Sequence, residues 1–412
     1  MSDQILFLAH RMPFPPDRGD KIRSHHILKA LAGLAPVHVA TFADDDRDMA
    51  EEAALAGLAH SYRLVRRVKP LILAGIQSLL RHEPVSLPAF YSPEIASYVA
   101  NVLRDHPIGT IYVFSGQMGQ YIPEDYDGRV IFDFVDVDSA KFEAYAQAHS
   151  GIRRWLEARE AQLLKIEEAR LARRSDISLL VSVAEAAVFA ARLGPVDRVA
   201  CDIRALGNGI DSQLFDPAVV KPEPQMLACA GPRLIFTGQM DYSPNVAAVL
   251  RAAQQILPLI RAQLPSASFH VIGRNPGKAL ADLDGIHGCH IWGSVADMRP
   301  WLSAADLALV PLEIARGIQN KVLEAMAMGL PVVLTSGAAT GIAAMPGKHF
   351  TVADSDEDLA AKCIALLSQP RKARLMGLEA RRYVVSQMSW QAMLAPLSGL
   401  LKLPGRPVRH AA

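Results

Sequence analysis

Paired cysteines, long apolar runs, aromatic residues and an excess of charge of one sign are all scarce in this chain of 412 residues. The four cysteines, Cys201, Cys229, Cys289 and Cys363, are scattered and form no CxxC pair. A zinc site or a disulfide framework is therefore not expected, and reduced thiols in a cytoplasmic compartment are. Residues 71–80 form an apolar run about half as long as a membrane span. The chain is expected to touch a membrane surface at most, peripherally at the inner face, and not to cross it. The apolar stretch in MSDQILFLAHRMPF is too short for a signal peptide and reads as a first buried strand. Lys plus Arg is 43 against 42 for Asp plus Glu, a net charge of +1. Broad nucleic-acid binding needs a strong positive field, so no nucleic-acid partner is expected. Basic residues still cluster locally, at Arg63, Arg66, Arg67 and Lys69, and again at Arg153, Arg154, Arg159, Arg170, Arg173 and Arg174.

Half of the residues are hydrophobic, enough for two cores, and one core rarely grows past about 250–300 residues. Short apolar runs suited to buried parallel strands fall at 5–9, 37–42, 111–114, 130–134 and 177–181. A second series falls at 234–237, 268–272, 290–292, 307–311 and 332–335. Helical patterns lie between them, at 22–34, 93–105, 153–174, 246–262, 295–304, 322–328 and 356–367. Alternation of this kind predicts an α/β protein with two doubly wound, Rossmann-like domains of five strands each. Residues 216–232 hold four prolines and no periodicity, which predicts a linker. The expected division is a first domain at 1–215, the linker, a second domain at 233–388, and a terminal helix and tail at 389–412 that cross back to the first domain.

The most informative segment is ALVPLEIARGIQNKVLEAMAMGLPVVLT, residues 308–335. It reads strand, loop, helix, turn, strand, with the helix starting near Lys321 and closed by Gly329. Ligands of open α/β sheets sit outside the carboxyl ends of the strands, where this loop lies. Free N–H groups and the positive dipole at a helix start attract phosphate. Arg316 and Lys321 add cations, with Gly317, Gln319 and Asn320 between them. Glu324, one turn into the helix, suits a ribose diol. Anion pocket and diol acceptor together describe a nucleoside diphosphate site. A glutamate near a helix start is also favourable by itself, so the assignment rests on the whole segment.

Three further loops fall at strand ends. HRMPFPPDRGDKIRS carries Gly19, which permits close backbone approach. TGQMDYSPNVAAV carries Gly238, Gln239 and Asn245. FDFVDVDSAKF carries Asp133, Asp136 and Asp138; the three carboxylates invite a metal or acid–base reading, but their alternate spacing suits loop turns better. GRNPGKA at 273–279 lacks one spacer and the Ser or Thr of a P-loop. No GxGxxG follows the first strand, and HExxH and GxSxG are absent.

With these segments in view, the chain resembles the retaining GT-B glycosyltransferases of glycosyltransferase family four. Their signature of Glu, seven residues, Glu, then Ala-Met-Ala-x-Gly-x-Pro-Val is matched at Glu324 and AMAMGLPVV, while Arg316 occupies the first glutamate position. LGNGIDSQLFDP is similar to the family's Asn-Gly-Asp-Phe turn, and PPDRGD to its glycine-rich loop. HRMPFPPDRGDKIRS, FDFVDVDSAKF, GQMDYSPNV and PLEIARGIQNKVLEAMAM together resemble the sugar transferases of exosortase (PEP-CTERM)-associated exopolysaccharide clusters. The resemblance implies two Rossmann-like domains facing a central cleft and transfer of sugar with retention of configuration. It also implies no metal and no cofactor, since the nucleotide-sugar, UDP- or GDP-linked, is a substrate. The expected partner is a saccharide or lipid-linked saccharide acceptor, on the first domain with its Arg clusters. Gln239 and Asn245 stand where many members carry Arg and Lys, which passes the diphosphate to Arg316 and Lys321. Val135 precedes Asp136 where many have His. Gly19, Gly238, Gln239, Asn245, Arg316, Gly317, Gln319, Asn320, Lys321 and Glu324 are the expected donor contacts, with Asp136, Lys321 and Glu324 catalytic. A nucleotide-sugar epimerase and a non-catalytic sugar-nucleotide sensor or scaffold are the alternatives.

Overall fold

The computed structural model describes residues 3–313 and 318–401. The chain divides into two compact units, residues 1–208 with 393–412, and residues 209–392. The boundary thus falls at Asn208, upstream of the segment expected to be the linker. That segment is part of the second unit because it is bonded onto it. Asp216 pairs with Arg381 at 2.9 Å, the Glu223 amide donates to the Pro300 carbonyl at 2.9 Å, and Met226 is fully buried. Its four prolines suppress a periodic pattern without making it a free tether.

The first unit is built on a wholly parallel seven-stranded sheet of order β3-β2-β1-β4-β5-β6-β7. The strands are β1 (Gln4–Ala9), β2 (Val37–Ala43), β3 (Ser61–Arg66), β4 (Ile108–Phe114), β5 (Arg129–Val135), β6 (Ile177–Leu180) and β7 (Ile203–Ala205). The second sheet, of order β10-β9-β8-β11-β12-β13, is also parallel. It comprises β8 (Arg233–Thr237), β9 (Ser268–Ile272), β10 (Cys289–Gly293), β11 (Leu307–Val310), β12 (Val332–Leu334) and β13 (Thr351–Val352).

Seven and six strands replace the expected five and five. The additions, β3, β7 and β13, all lie at or next to a sheet edge and are only partly buried. Central parallel strands are covered on both faces and read as unbroken apolar runs, as β2 does, buried along its whole length. An edge strand such as SYRLVR lacks that signature. The helices at Pro93–Asp105 and Asp356–Leu367 have the expected bounds. The pattern at 246–262 is broken instead into Ser243–Arg251, a π turn at Ala252–Ile256, and Leu257–Gln263. Pro258 has no N–H to give the ladder, and the wider turn absorbs the missing bond.

In both sheets the chain fills one side and then starts again on the other. The order therefore reverses between β1 and β4 in the first unit and between β8 and β11 in the second. Ligands of open α/β sheets bind at the carboxyl ends of the strands beside such a reversal.

Candidate functional site

The reversal in the second unit is occupied by a small polar cluster. β8 ends at Thr237 and the chain continues through Gly238 and Gln239 into the Ser243–Arg251 helix. On the other side the Asn320–Ala327 helix follows β11. Val322, Leu323, Ala325, Met326 and Ala327 are buried and anchor that helix, which fixes the direction of its first turn.

Lys321 reaches from this turn toward β8. Its ammonium donates to the Asn245 side-chain carbonyl and stands 4.4 Å from the centre of the Phe236 ring. Asn245 is only 5% exposed, and its NH2 donates to the Gln239 carbonyl at 2.9 Å. One amide thus ties the lysine to the loop after β8. Gly238 lies directly beneath, where a Cβ would stand 2.8 Å from the Asn245 nitrogen and 3.2 Å from the Lys321 ammonium. A side chain at Gly238 would therefore displace the Asn245 amide and the Lys321 ammonium from these positions. A second glycine, Gly273 after β9, is pressed still closer, since its Cβ would sit 1.7 Å from the Gly238 carbonyl oxygen.

The electrostatics follow from this burial. Desolvation lowers the Lys321 pKa to about 8, against the opposing pull of Glu324. Glu324, three residues along the same helix, is raised to about 7 by desolvation, with Lys321 acting the other way. Gln319 is the N-cap of this helix, in extended conformation, and its side chain makes no cap hydrogen bond to the first turn. A partly desolvated ammonium, a helix start and bare glycine backbone make an anion-receiving surface.

The structure thus brings together Gly238, Gln239, Asn245 and Lys321, with Glu324 on the same helix as Lys321. Asn320 is exposed and Gln319 partly buried at the helix start. Arg316 and Gly317 lie outside the described residues. Three participants were not legible from sequence. Phe236 is one more apolar residue in a buried strand. Gly273 and Arg274 belong to GRNPGKA, which is not a P-loop but does supply the glycine against Gly238. Its Arg274 donates to the Gln239 side-chain oxygen at 3.2 Å, placing another cation at this edge. A glycine immediately after a strand was the signal that could have found it.

Gly19 and Asp136 belong to the first unit. Gly19 opens the Gly19–Ala32 helix, which no side chain caps, and a Cβ there would meet nothing within 4 Å. Nearby, Asp44 accepts from Arg11, Arg18 and Arg67. His10, after β1, is stacked on Phe114 at 5.9 Å, and its buried Nδ1 has no hydrogen-bond partner among the described residues. Burial lowers its pKa to about 4. Asp136 follows Val135, whose φ of 69° is a strained conformation for a β-branched residue. The three carboxylates of this loop do not converge. Asp133 is taken by Arg23 and Tyr112, while Asp136 and Asp138 share Lys141 at 2.9 and 3.2 Å.

Two doubly wound parallel sheets, one carrying a desolvated lysine at its reversal point, define a GT-B fold. The comparisons with known proteins agree with that class. Residues 231–369 match the family Glycosyl transferases group 1, which spans the second sheet and its reversal. The chain is 29% identical over 231 residues to a phosphatidyl-myo-inositol mannosyltransferase of Propionibacterium freudenreichii, covering 54% of this chain and 55% of that one. An MMP alpha-(1->4)-mannosyltransferase of Mycolicibacterium hassiacum is 28% identical over 45% of each chain. The matches thus span about half the length of these two relatives. The GDP-mannose-dependent alpha-(1-6)-phosphatidylinositol monomannoside mannosyltransferase of Mycolicibacterium smegmatis is 24% identical over 94% of this chain and 96% of that one. Among solved structures, Anabaena Alr3699/HepE in complex with UDP aligns over 97% of this chain and 99% of its own, with a TM-score of 0.60 and 14% identity. At that identity the likeness speaks for the fold.

Proposed function

We propose that the protein is a glycosyltransferase that moves a sugar from a UDP- or GDP-linked donor to a saccharide acceptor, lipid-linked, with retention of anomeric configuration. The observation that carries this reading is Lys321, held by Asn245 over Phe236 beside the bare backbone of Gly238 at the β8–β11 reversal. When the sugar leaves, negative charge grows on the diphosphate. An ammonium already stripped of water stabilises that charge more in the transition state than in the ground state. The helix turn that opens at Asn320 adds N–H dipoles without reorganising. Glu324, in its ionised form, accepts the ribose hydroxyls. Arg316, Gly317, Gln319 and Arg274 complete the donor contacts, and Gly19 and Asp136 serve the sugar and acceptor from the first unit.

The relatives named as mannosyltransferases of phosphatidylinositol lipids support a lipid-linked acceptor and a GDP-linked donor, while the UDP of the solved neighbour supports a uridine donor. The four spaced segments that resemble exopolysaccharide-cluster transferases support a role in polysaccharide assembly, at the cytoplasmic face of a membrane. A panel of nucleotide-sugars screened by thermal shift tests the reading, because the shift follows affinity. One donor should raise Tm in the wild type and not in Lys321→Ala. A panel in which no nucleotide-sugar raises Tm, or in which the variant responds equally, overturns it.

A further inference from the structure

The Leu71–Arg81 helix is built inside out. Its inward face holds only Ala74 and Ser78, both fully buried. Leu71, Ile72, Leu73, Ile76, Leu79 and Leu80 all face solvent, with Ile72 78% and Leu80 77% exposed. At 100° per residue these aliphatic side chains, Leu71 apart, fall within one broad arc opposite Ala74 and Ser78. Soluble proteins rarely leave so large a contiguous apolar face open, and such a face marks a docking surface.

A second apolar group lies close by. Arg159 of the Gly151–Arg174 helix donates to the Ser78 hydroxyl and carbonyl at 3.0 and 2.9 Å, and Glu160 accepts from the Val85 amide. One turn before Arg159, Trp155 and Leu156 are exposed, as is Ile152. Tryptophan at such a position sits well at a water–lipid boundary.

Charge around the patch selects its occupant. Lys69, just before the first helix, donates to the Pro88 carbonyl at 2.6 Å. Arg159 likewise hydrogen-bonds to neutral groups. Arg81 ends the helix, with Glu83 at 3.8 Å. A groove along the Gly151–Arg174 helix is lined by Arg154 and Lys165, and by Arg192 with its partner Glu143 at 2.6 Å, while Arg153 pairs with Glu157. Arg66 and Arg67 are already paired with Asp46 and Asp44. The rim is positive, so an isologous dimer through this face would set like charges against each other. An anionic bilayer meets both the apolar face and its rim.

We infer that the Leu71–Arg81 helix and the first turns of the Gly151–Arg174 helix form a docking face for an anionic phospholipid membrane. The inference deepens the reading of a lipid-linked acceptor, but its test needs no sugar. The full chain is sedimented with vesicles of phosphatidylcholine alone or doped with phosphatidylglycerol. Wild type should partition onto the doped vesicles and be released by salt. Ile72→Ser combined with Leu80→Ser should weaken partition about tenfold or more. Because both side chains are exposed, Tm and nucleotide-sugar binding should be unchanged in this variant. Absence of vesicle binding, equal binding by the variant, or a wild-type dimer in sedimentation velocity that the same substitutions dissociate would each overturn the proposal. If vesicles bind and no donor does, the transferase reading fails alone.

Discussion

Lys321 and Asn245 meet across the point where the second sheet reverses, the ammonium of one donating to the amide oxygen of the other. The amide then passes its own N–H to the Gln239 carbonyl, so the lysine is positioned by the loop after β8 and not by its flexible stem alone. Lys321→Ala should lower kcat/KM by about tenfold or more. Asn245→Ala should keep the charge yet loosen its placement, with a smaller loss. Steady-state kinetics with saturating acceptor check both, and an Asn245→Ala loss equal to that of Lys321→Ala would remove the distinction drawn between charge and position.

The pH dependence follows from two opposite shifts. Lys321 is lowered to about 8 and Glu324 is raised to about 7, both first by desolvation. Donor binding wants the ammonium charged and the carboxylate ionised. kcat/KM should therefore fall as pH drops below about 7 and fall again above about 8, since this parameter reports groups of the free enzyme. Glu324→Gln should remove the acidic limb and leave the alkaline one. Stability carries the reverse signature. From the unfolded carboxylate value up to about 7 the folded chain holds the extra proton on Glu324, so stability falls with rising pH. From about 8 to the unfolded lysine value the unfolded chain holds more, so stability rises.

How far the sequence could be read depends on what each residue had to do. The buried central strands and the Asn320–Ala327 segment were legible because burial on both faces leaves an apolar run and a helix start leaves a polar one. β3, β7 and β13 were not, since edge strands keep polar side chains. Gly238 and Lys321 could be named from their places after a strand and at a helix start. Phe236 could not, because a phenylalanine that receives a cation reads like any core residue. The Leu71–Arg81 segment showed its apolar character, but only its packing reveals that the small residues point inward and the large ones outward.

Gly273 and Gly19 are glycines for different reasons. A Cβ on Gly273 would stand 1.7 Å from the Gly238 carbonyl oxygen, and backbone cannot yield as a side-chain tip does. Gly273→Ala should force β8 and β9 apart at their ends and cost about 1–3 kcal/mol or more. Gly19→Ala meets nothing within 4 Å and should leave stability within about 0.5 kcal/mol. If Gly19 admits a ligand to its backbone, the same substitution lowers transfer while the urea midpoint stays put. Urea melts of both variants beside one activity measurement separate the two roles.

Arg23 and Asp133 form the most enclosed ion pair among the described residues of the first unit, with side chains 1% and 0% exposed. The guanidinium donates to both carboxylate oxygens at 3.1 Å and to the Asn208 side-chain oxygen at 2.8 Å, while the Tyr112 hydroxyl donates to Asp133 at 2.9 Å. Every strong donor and acceptor of the pair named here is thus met within the unit, and Asn208, its last residue before the second unit, is fastened by it. Removing one partner leaves a charge with no water and no counterion. Arg23→Met or Asp133→Leu alone should therefore destabilise by about 3–5 kcal/mol. The double variant removes both charges and should cost less than the sum of the singles, since the pair's attraction largely offsets its desolvation. Chemical denaturation of the four proteins closes the cycle. A double variant whose loss equals the sum would mean that the two side chains act independently and that this network does not hold the fold around β5.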